Sequence, residues 1–193
     1  MTVPDPDSAG HRARLRQRLI GSGGEALLDH ELIEYLLATA MPRIDTKPIA
    51  KALLREFGGI GGVMAADADA LMRVRGVGEA GVAAIKVAQA TALRMLRGEI
   101  ADRPVLASWQ ALLDYLRADM AHHAIERVRV LHLNSRNMLI RDELMHEGTI
   151  DQSAVYVREV IRRAIDLGSA AIILVHNHPT RPSRITFDHT QAH

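Results

Sequence analysis

Apolar residues recur at helical spacing through the first half of the chain and at strand spacing through much of the second. Leu32, Ile33, Leu36 and Leu37 follow Asp29, a residue able to cap a helix, and predict a helix there. Lys47–Phe57 predicts another, stopped by Gly58 and Gly59. A short helix through Leu71 and Met72, opened by Asp67 or Asp69, leads into Arg73-Val-Arg-Gly-Val-Gly-Glu-Ala-Gly81. A long helix then runs from about Gly81 to Arg97, with Ile85, Val87, Ala88 and Leu93 as its apolar contacts.

Past Pro104 the period changes. Trp109–Met120 reads as a helix that turns Leu112, Leu113 and Leu116 inward. Val128, Val130, Leu131 and Leu133 read as a strand, Asn134–Asn137 as a turn, and Met138–Glu147 as the returning arm of a hairpin. Val157, Val160, Ile161, Ala164 and Ile165 fall on one face of a helix. Ala170–Val175, an apolar run after Gly168, reads as a buried strand. The pattern predicts an α+β chain: a disordered polar tail over residues 1–10, an all-helical domain over 11–98 and a mixed α/β domain over 105–193. Gly98–Pro104 is the expected linker.

Composition narrows the chemistry. The chain has 193 residues, 48% of them hydrophobic, enough for a core, and no apolar stretch long enough to span a membrane. No cysteine is present, so disulfides and thiolate catalysis are excluded and any metal must be held by His, Asp or Glu. A net charge of +1 gives no global case for nucleic-acid binding, and 3% aromatics argue against a base-stacking platform. The first residues carry no signal-peptide pattern, and a cytoplasmic setting is expected.

Two segments carry candidate function. The apolar run ends in His176-Asn-His178-Pro. Residues i and i+2 of a strand share a face, so both imidazoles emerge together, an arrangement suited to a divalent metal or to two solvated loop histidines. Gly76-Val-Gly78-Glu-Ala-Gly81 lies between two helical stretches behind Arg73 and Arg75. Backbone amides at such a turn can hold a phosphate of double-stranded DNA without reading a base, with Arg75, Gly76, Gly78 and Gly81 as the contacts. The same turn also serves simply to pack helices, and Glu79 opposes an anion.

The segment resembles a helix-hairpin-helix motif, and the chain as a whole resembles the RadC family. The resemblance rests on Gly10-His-Arg-Ala-Arg-Leu, Asp29-His-Glu-Leu-Ile-Glu-Tyr-Leu-Leu, Arg55-Glu-Phe-Gly58 and Arg75-Gly-Val-Gly in the first half. In the second half it rests on Leu133-Asn-Ser-Arg-Asn137, Glu147-Gly-Thr-Ile, Arg158-Glu-Val and His176-Asn-His-Pro. It implies a helix-hairpin-helix region followed by a JAMM (MPN-type, cytidine-deaminase-like) metal domain. It also implies a Zn2+-dependent hydrolase similar to JAMM metallopeptidases and isopeptidases, acting on a peptide or protein substrate. His176 and His178 match the histidine ligands. Glu126, just before the first strand, matches the general base, with Glu147 and Glu159 as rivals. Three ligands and a water define an open catalytic zinc site, and a carboxylate shuttles the proton.

The chain departs from the family after His178. Where the family has Ser-Gly-Asp-Pro-x-Pro-Ser-x-x-Asp, this sequence reads Thr180-Arg-Pro-Ser-Arg-Ile-Thr-Phe-Asp-His189. Anchoring on Pro182-Ser183 makes Ser183 the family serine, which hydrogen-bonds the water or the oxyanion, but puts Thr186 at the aspartate. Counting from His178 brings the aspartate to His189, next to Asp188. Asp188 is therefore the expected third ligand, reached from a short helix beginning near Ser183, with His189 or an incomplete shell as the other arrangements. The family domain continues past this point, so the second domain is expected to be incomplete, with an exposed sheet edge. The competing function is a non-catalytic module that binds DNA or a protein through its helical half and carries a degenerate metal site.

Overall fold

A computed structural model describes residues 6–101, 104, 105, 107–120, 123, 125–148, 153–177 and 185–191, with 6–9, 101, 153–156 and 185–191 described by backbone alone. The chain forms two compact units, one ending at Ala90 and the other beginning at Thr91.

The first unit is helical. It holds α1 (Pro6–Ser22), a 3-10 turn (Gly24–Ala26), α2 (Asp29–Ala40), α3 (Lys47–Phe57), α4 (Ile60–Ala65), α5 (Ala68–Arg73) and the start of α6 (Gly78–Ala101). The helix α1 begins at Pro6, so residues 6–10, expected as part of the tail, are helical. Proline's fixed φ suits a first helical turn, where its missing N–H costs nothing. The capping position of α2 is Leu28 rather than Asp29: the Leu28 N–H donates to Glu31 Oε2 at 2.9 Å. Asp29 instead opens the helix and meets its positive end. Arg18 adds two hydrogen bonds to Glu31, at 2.8 and 3.0 Å, and together with the Leu28 amide these hold its carboxyl below the usual range. Ile33, Leu37, Ile49, Ala50, Leu53, Val63, Leu71, Val77 and Ile85 form the core, and Gly58, at φ 75°, ends α3 as expected. Val87, expected among the apolar contacts of α6, is 65% exposed.

The expected linker is not a break. Gly98 and Ile100 continue α6, because Leu93, Leu96 and Ile100 extend an apolar face that belongs to the core of the second unit. That unit adds α7 (Trp109–Met120), β1 (Arg127–Leu133), β2 (Leu139–Glu147), α8 (Ser153–Asp166), β3 (Ala171–Asn177) and β4 (Ile185–Gln191). The strands form one four-stranded sheet in the order β2-β1-β3-β4, with every pairing antiparallel. Val128 pairs with His176 and Leu131 with Ile173. Leu131, Leu133, Ile173 and Val175 pack against Leu112, Tyr115, Leu116 and Met120 of α7.

Two expectations change in this unit. Of the apolar face expected on α8, Val160 is buried, but Val157, Ile161 and Ile165 are 57, 53 and 74% exposed. The segment after Ser183 is a strand, not a helix: Ile185–Gln191 pairs along the whole of β3. Ile185, Thr186, Phe187 and Thr190 are β-branched or aromatic, residue types that fit a pleated surface better than a short terminal helix. The sheet therefore ends in β4 on this side, with β3 inside it.

Buried polar groups fasten the sheet to its helices. Asp142 on β2 accepts the Tyr115 hydroxyl at 2.5 Å and Arg129 Nε at 2.8 Å, and Arg129 also pairs with Asp119 of α7. Burial, and then the Asp142 charge, push the Tyr115 phenol up to about 12, so it stays a donor. His132 is fully buried on β1, with Nδ1 3.0 Å from Ser169 Oγ and Nε2 4.0 Å from Glu143 Oε2. Arg163 of α8 holds that glutamate at 2.6 Å.

Burial lowers the His132 pKa from the ordinary 6.5, Arg163 lowers it further, and only Glu143 opposes. The folded protein therefore resists a proton that the unfolded chain accepts. The stability from neutral His132 is complete above the unfolded value and is lost as pH falls below it. Thermal unfolding midpoints measured between about pH 7.5 and pH 5 should fall less steeply for His132→Gln than for wild type. Equal slopes would contradict this assignment.

Candidate metal centre

The apolar residues of β3 end at His176, which is half-buried, and Asn177, which is 2% exposed. Alternation puts Asn177 at the parity of Ile173 and Val175, the buried side of the strand, and His176 at the other. An amide buried at the end of an apolar strand must find partners. Asn177 Oδ1 accepts the Arg127 N–H at 2.7 Å, and its Nδ2 donates to the Ile125 carbonyl at 3.2 Å and the His123 carbonyl at 3.4 Å. These bonds strap the segment leading into β1 onto the end of β3.

Glu126 lies within that strap. It is half-buried, and its carbonyl accepts the Gly148 N–H at 2.9 Å, which ties the same point to the end of β2. It stands two residues ahead of Val128, whose partner across the ladder is His176. The rival carboxylates have other surroundings. Glu147 accepts Arg127 Nη2 at 2.7 Å, and Arg127 Nη1 lies 2.5 Å from His123 Nε2. Glu159 is exposed on α8.

His178 and Ser183 lie outside the described residues, as does the side chain of Asp188. The backbone of Asp188 stands opposite Leu174, that of His189 opposite Ile173 and that of Thr186 opposite His176. Asp188 thus falls an even number of register steps from the ladder position of His176, and His189 an odd number. The expectation that Asp188 is carried by a helix is replaced by this placement on β4. Among the described residues no three His, Asp or Glu gather as a metal-ligand set. The donor types available, imidazole and carboxylate with no thiolate, are ones that fit a divalent cation such as zinc. The residue that sequence reading passed over is Asn177. Its signal was an amide, flanked by histidines, at the buried parity of an apolar strand.

The glycine hairpin of the helical unit is distinct. Arg73, Arg75, Gly76 and Gly78 are exposed, while Val77 between the glycines is fully buried. Gly76 and Gly78 take φ of 94° and 59°, so the turn requires glycine at both. Gly81, expected among the phosphate contacts, is instead buried. A Cβ there would lie 3.1 Å from both Met41 Cε and Val77 Cγ1, so its glycine permits close helix packing.

Residues 106–191 match the family model of the RadC-like JAB domain, and residues 8–83 match that of the UPF0758 N-terminal region. A UPF0758 protein of Rhodobacter capsulatus is 50% identical over 166 residues, covering 86% of this chain and 78% of that protein. A UPF0758 protein of Ruegeria pomeroyi is 45% identical over 183 residues, covering 93% of this chain and 82% of that one. The second unit is a JAB-type domain related to the JAMM group, and no helix among the described residues is long and apolar enough to cross a membrane. With both halves matched, and relatives aligned over most of its length, the chain belongs to the RadC (UPF0758) family.

Proposed function

We propose that the JAB-type unit is a zinc-dependent hydrolase that cleaves an amide or isopeptide bond in a peptide or protein. The observation that carries this reading is the strapping of Glu126 to the end of β3, the strand that bears His176. His176, His178 and Asp188 would hold the ion. Asp188 is preferred to His189 because it keeps the register parity of His176. When bound, zinc supplies a Lewis acid that brings the pKa of water toward neutrality. Glu126 takes the proton of the attacking water on its carboxylate and returns it to the departing amine. Ser183 hydrogen-bonds the water or the developing oxyanion. The reading predicts that a peptide and isopeptide library is cleaved by the purified protein, that a chelator abolishes cleavage and that added zinc restores it. Cleavage indifferent to the chelator would overturn it.

A second reading concerns the helical unit: double-stranded DNA held through Arg75, Gly76 and Gly78. The observation favouring it is that two exposed arginines immediately precede a positive-φ turn anchored by buried Val77. Duplex binding followed by fluorescence anisotropy should weaken steeply with salt, and Arg75→Ala should reduce the salt slope by about one. A salt-independent signal would exclude phosphate recognition.

A further inference from the structure

We infer that Asn177 is the positioning residue of this site, setting where the Glu126 carboxylate stands relative to the His176 end of β3; this rests on the metal-hydrolase reading above. Three observations carry it. The side chain is buried, and among the described residues its three hydrogen bonds all go to backbone groups of residues 123–127. Those groups bracket Glu126 on both sides, through the Ile125 carbonyl and the Arg127 amide. The amide side chain uses its acceptor for one and its donors for the other two, a combination that neither a carboxylate nor an aliphatic residue reproduces. Because Asn177 follows His176 directly in the chain, one short segment both carries the metal-binding imidazole and fixes the location of the base. Any displacement of the end of β3 is thereby shared by the two groups.

The consequence is that Asn177 controls the base without touching the ion. Asn177→Ala frees the strap, and the Arg127 amide should exchange with deuterium about tenfold faster than in wild type. The protein loaded with Co2+ supplies the second readout. Its visible spectrum reports the surroundings of the ion, and Glu126→Gln gives the reference for a site without its carboxylate. Asn177→Ala removes no ligand and should still bind Co2+, with an affinity lowered by no more than the roughly 10- to 100-fold typical of changes outside the ligand set, yet show the spectrum displaced toward that of Glu126→Gln. Asn177→Asp keeps the acceptor for Arg127 and loses both donors, so its spectrum should fall between the two. It decides the question if the alanine variant does not fold.

Wild-type spectra in the variants, or an unchanged exchange rate at Arg127, would overturn the inference while leaving the metal reading intact. A wild-type protein that takes up no Co2+ would instead overturn the metal reading, and this inference with it. A purely structural role for Asn177 would lower stability without moving the spectrum of the folded, loaded protein.

Discussion

Asp142→Ala should destabilise the second unit by about 3–5 kcal/mol, the range for removing one partner of a buried ion pair. The Asp142 side chain is fully buried, accepting the Tyr115 hydroxyl at 2.5 Å and Arg129 Nε at 2.8 Å. Its removal leaves the Tyr115 hydroxyl without its acceptor and takes one of two carboxylate partners from a largely buried guanidinium. Arg129 retains Asp119, so the loss belongs at the lower end of the range. Asp142→Asn keeps the shape and an acceptor for Tyr115 and should lose less. Urea unfolding of wild type and both variants at neutral pH checks this. A loss below about 1 kcal/mol for alanine would mean that apolar packing of α7, not this pair, fastens helix to sheet.

Glu126→Gln should lower turnover by about 100- to 10,000-fold, the usual contribution of a positioned general base. The substitution preserves size and removes only the capacity to accept a proton. Bound zinc should remain, because Glu126 is not among the proposed ligands. Glu147→Gln is the matched control: that carboxylate serves Arg127 at 2.7 Å, and its loss should act on stability first. Turnover unchanged in Glu126→Gln but abolished in Glu147→Gln would exchange the two assignments.

Much of this architecture was legible because periodicity and burial agree. Ile33 and Leu37 on α2, Ile49 and Leu53 on α3, and Leu112 and Leu116 on α7 all lie in cores where their spacing put them. The hairpin β1–β2 and the buried strand β3 followed from short apolar runs between turn residues. The errors lie where local pattern competes with partners remote in sequence. Gly98 read as a linker because glycine weakens helices, but Ile100 adds a buried contact that carries α6 through it. The segment beginning near Ser183 read as a short helix, while Ile185–Gln191 within it finds a complete ladder on β3. On α8 the spacing identified an apolar face, and spacing alone does not say what covers it: Ile161 and Ile165 remain exposed.

At the candidate site, the His-x-His spacing was visible because chemistry and period coincide at the end of a strand. The strap was not. Hydrogen bonds from Asn177 to residues 123, 125 and 127 span about fifty residues of sequence, as the separations of 50, 52 and 54 show, and no local pattern encodes a contact of that range. Gly81 illustrates the reverse. Its place in a glycine-rich run pointed to an exposed amide, but Leu37 and Met41 from another helix fill the space a side chain would need.

Whether the end of β3 holds a metal ion is tested most directly by the amount of metal bound per chain. Elemental analysis of protein prepared without a histidine tag or added zinc should find close to one zinc per chain, with His176→Ala and His178→Ala each losing it while remaining folded. Wild-type protein that is folded and free of zinc, and that takes none up on titration, would contradict the metal-hydrolase reading at its root.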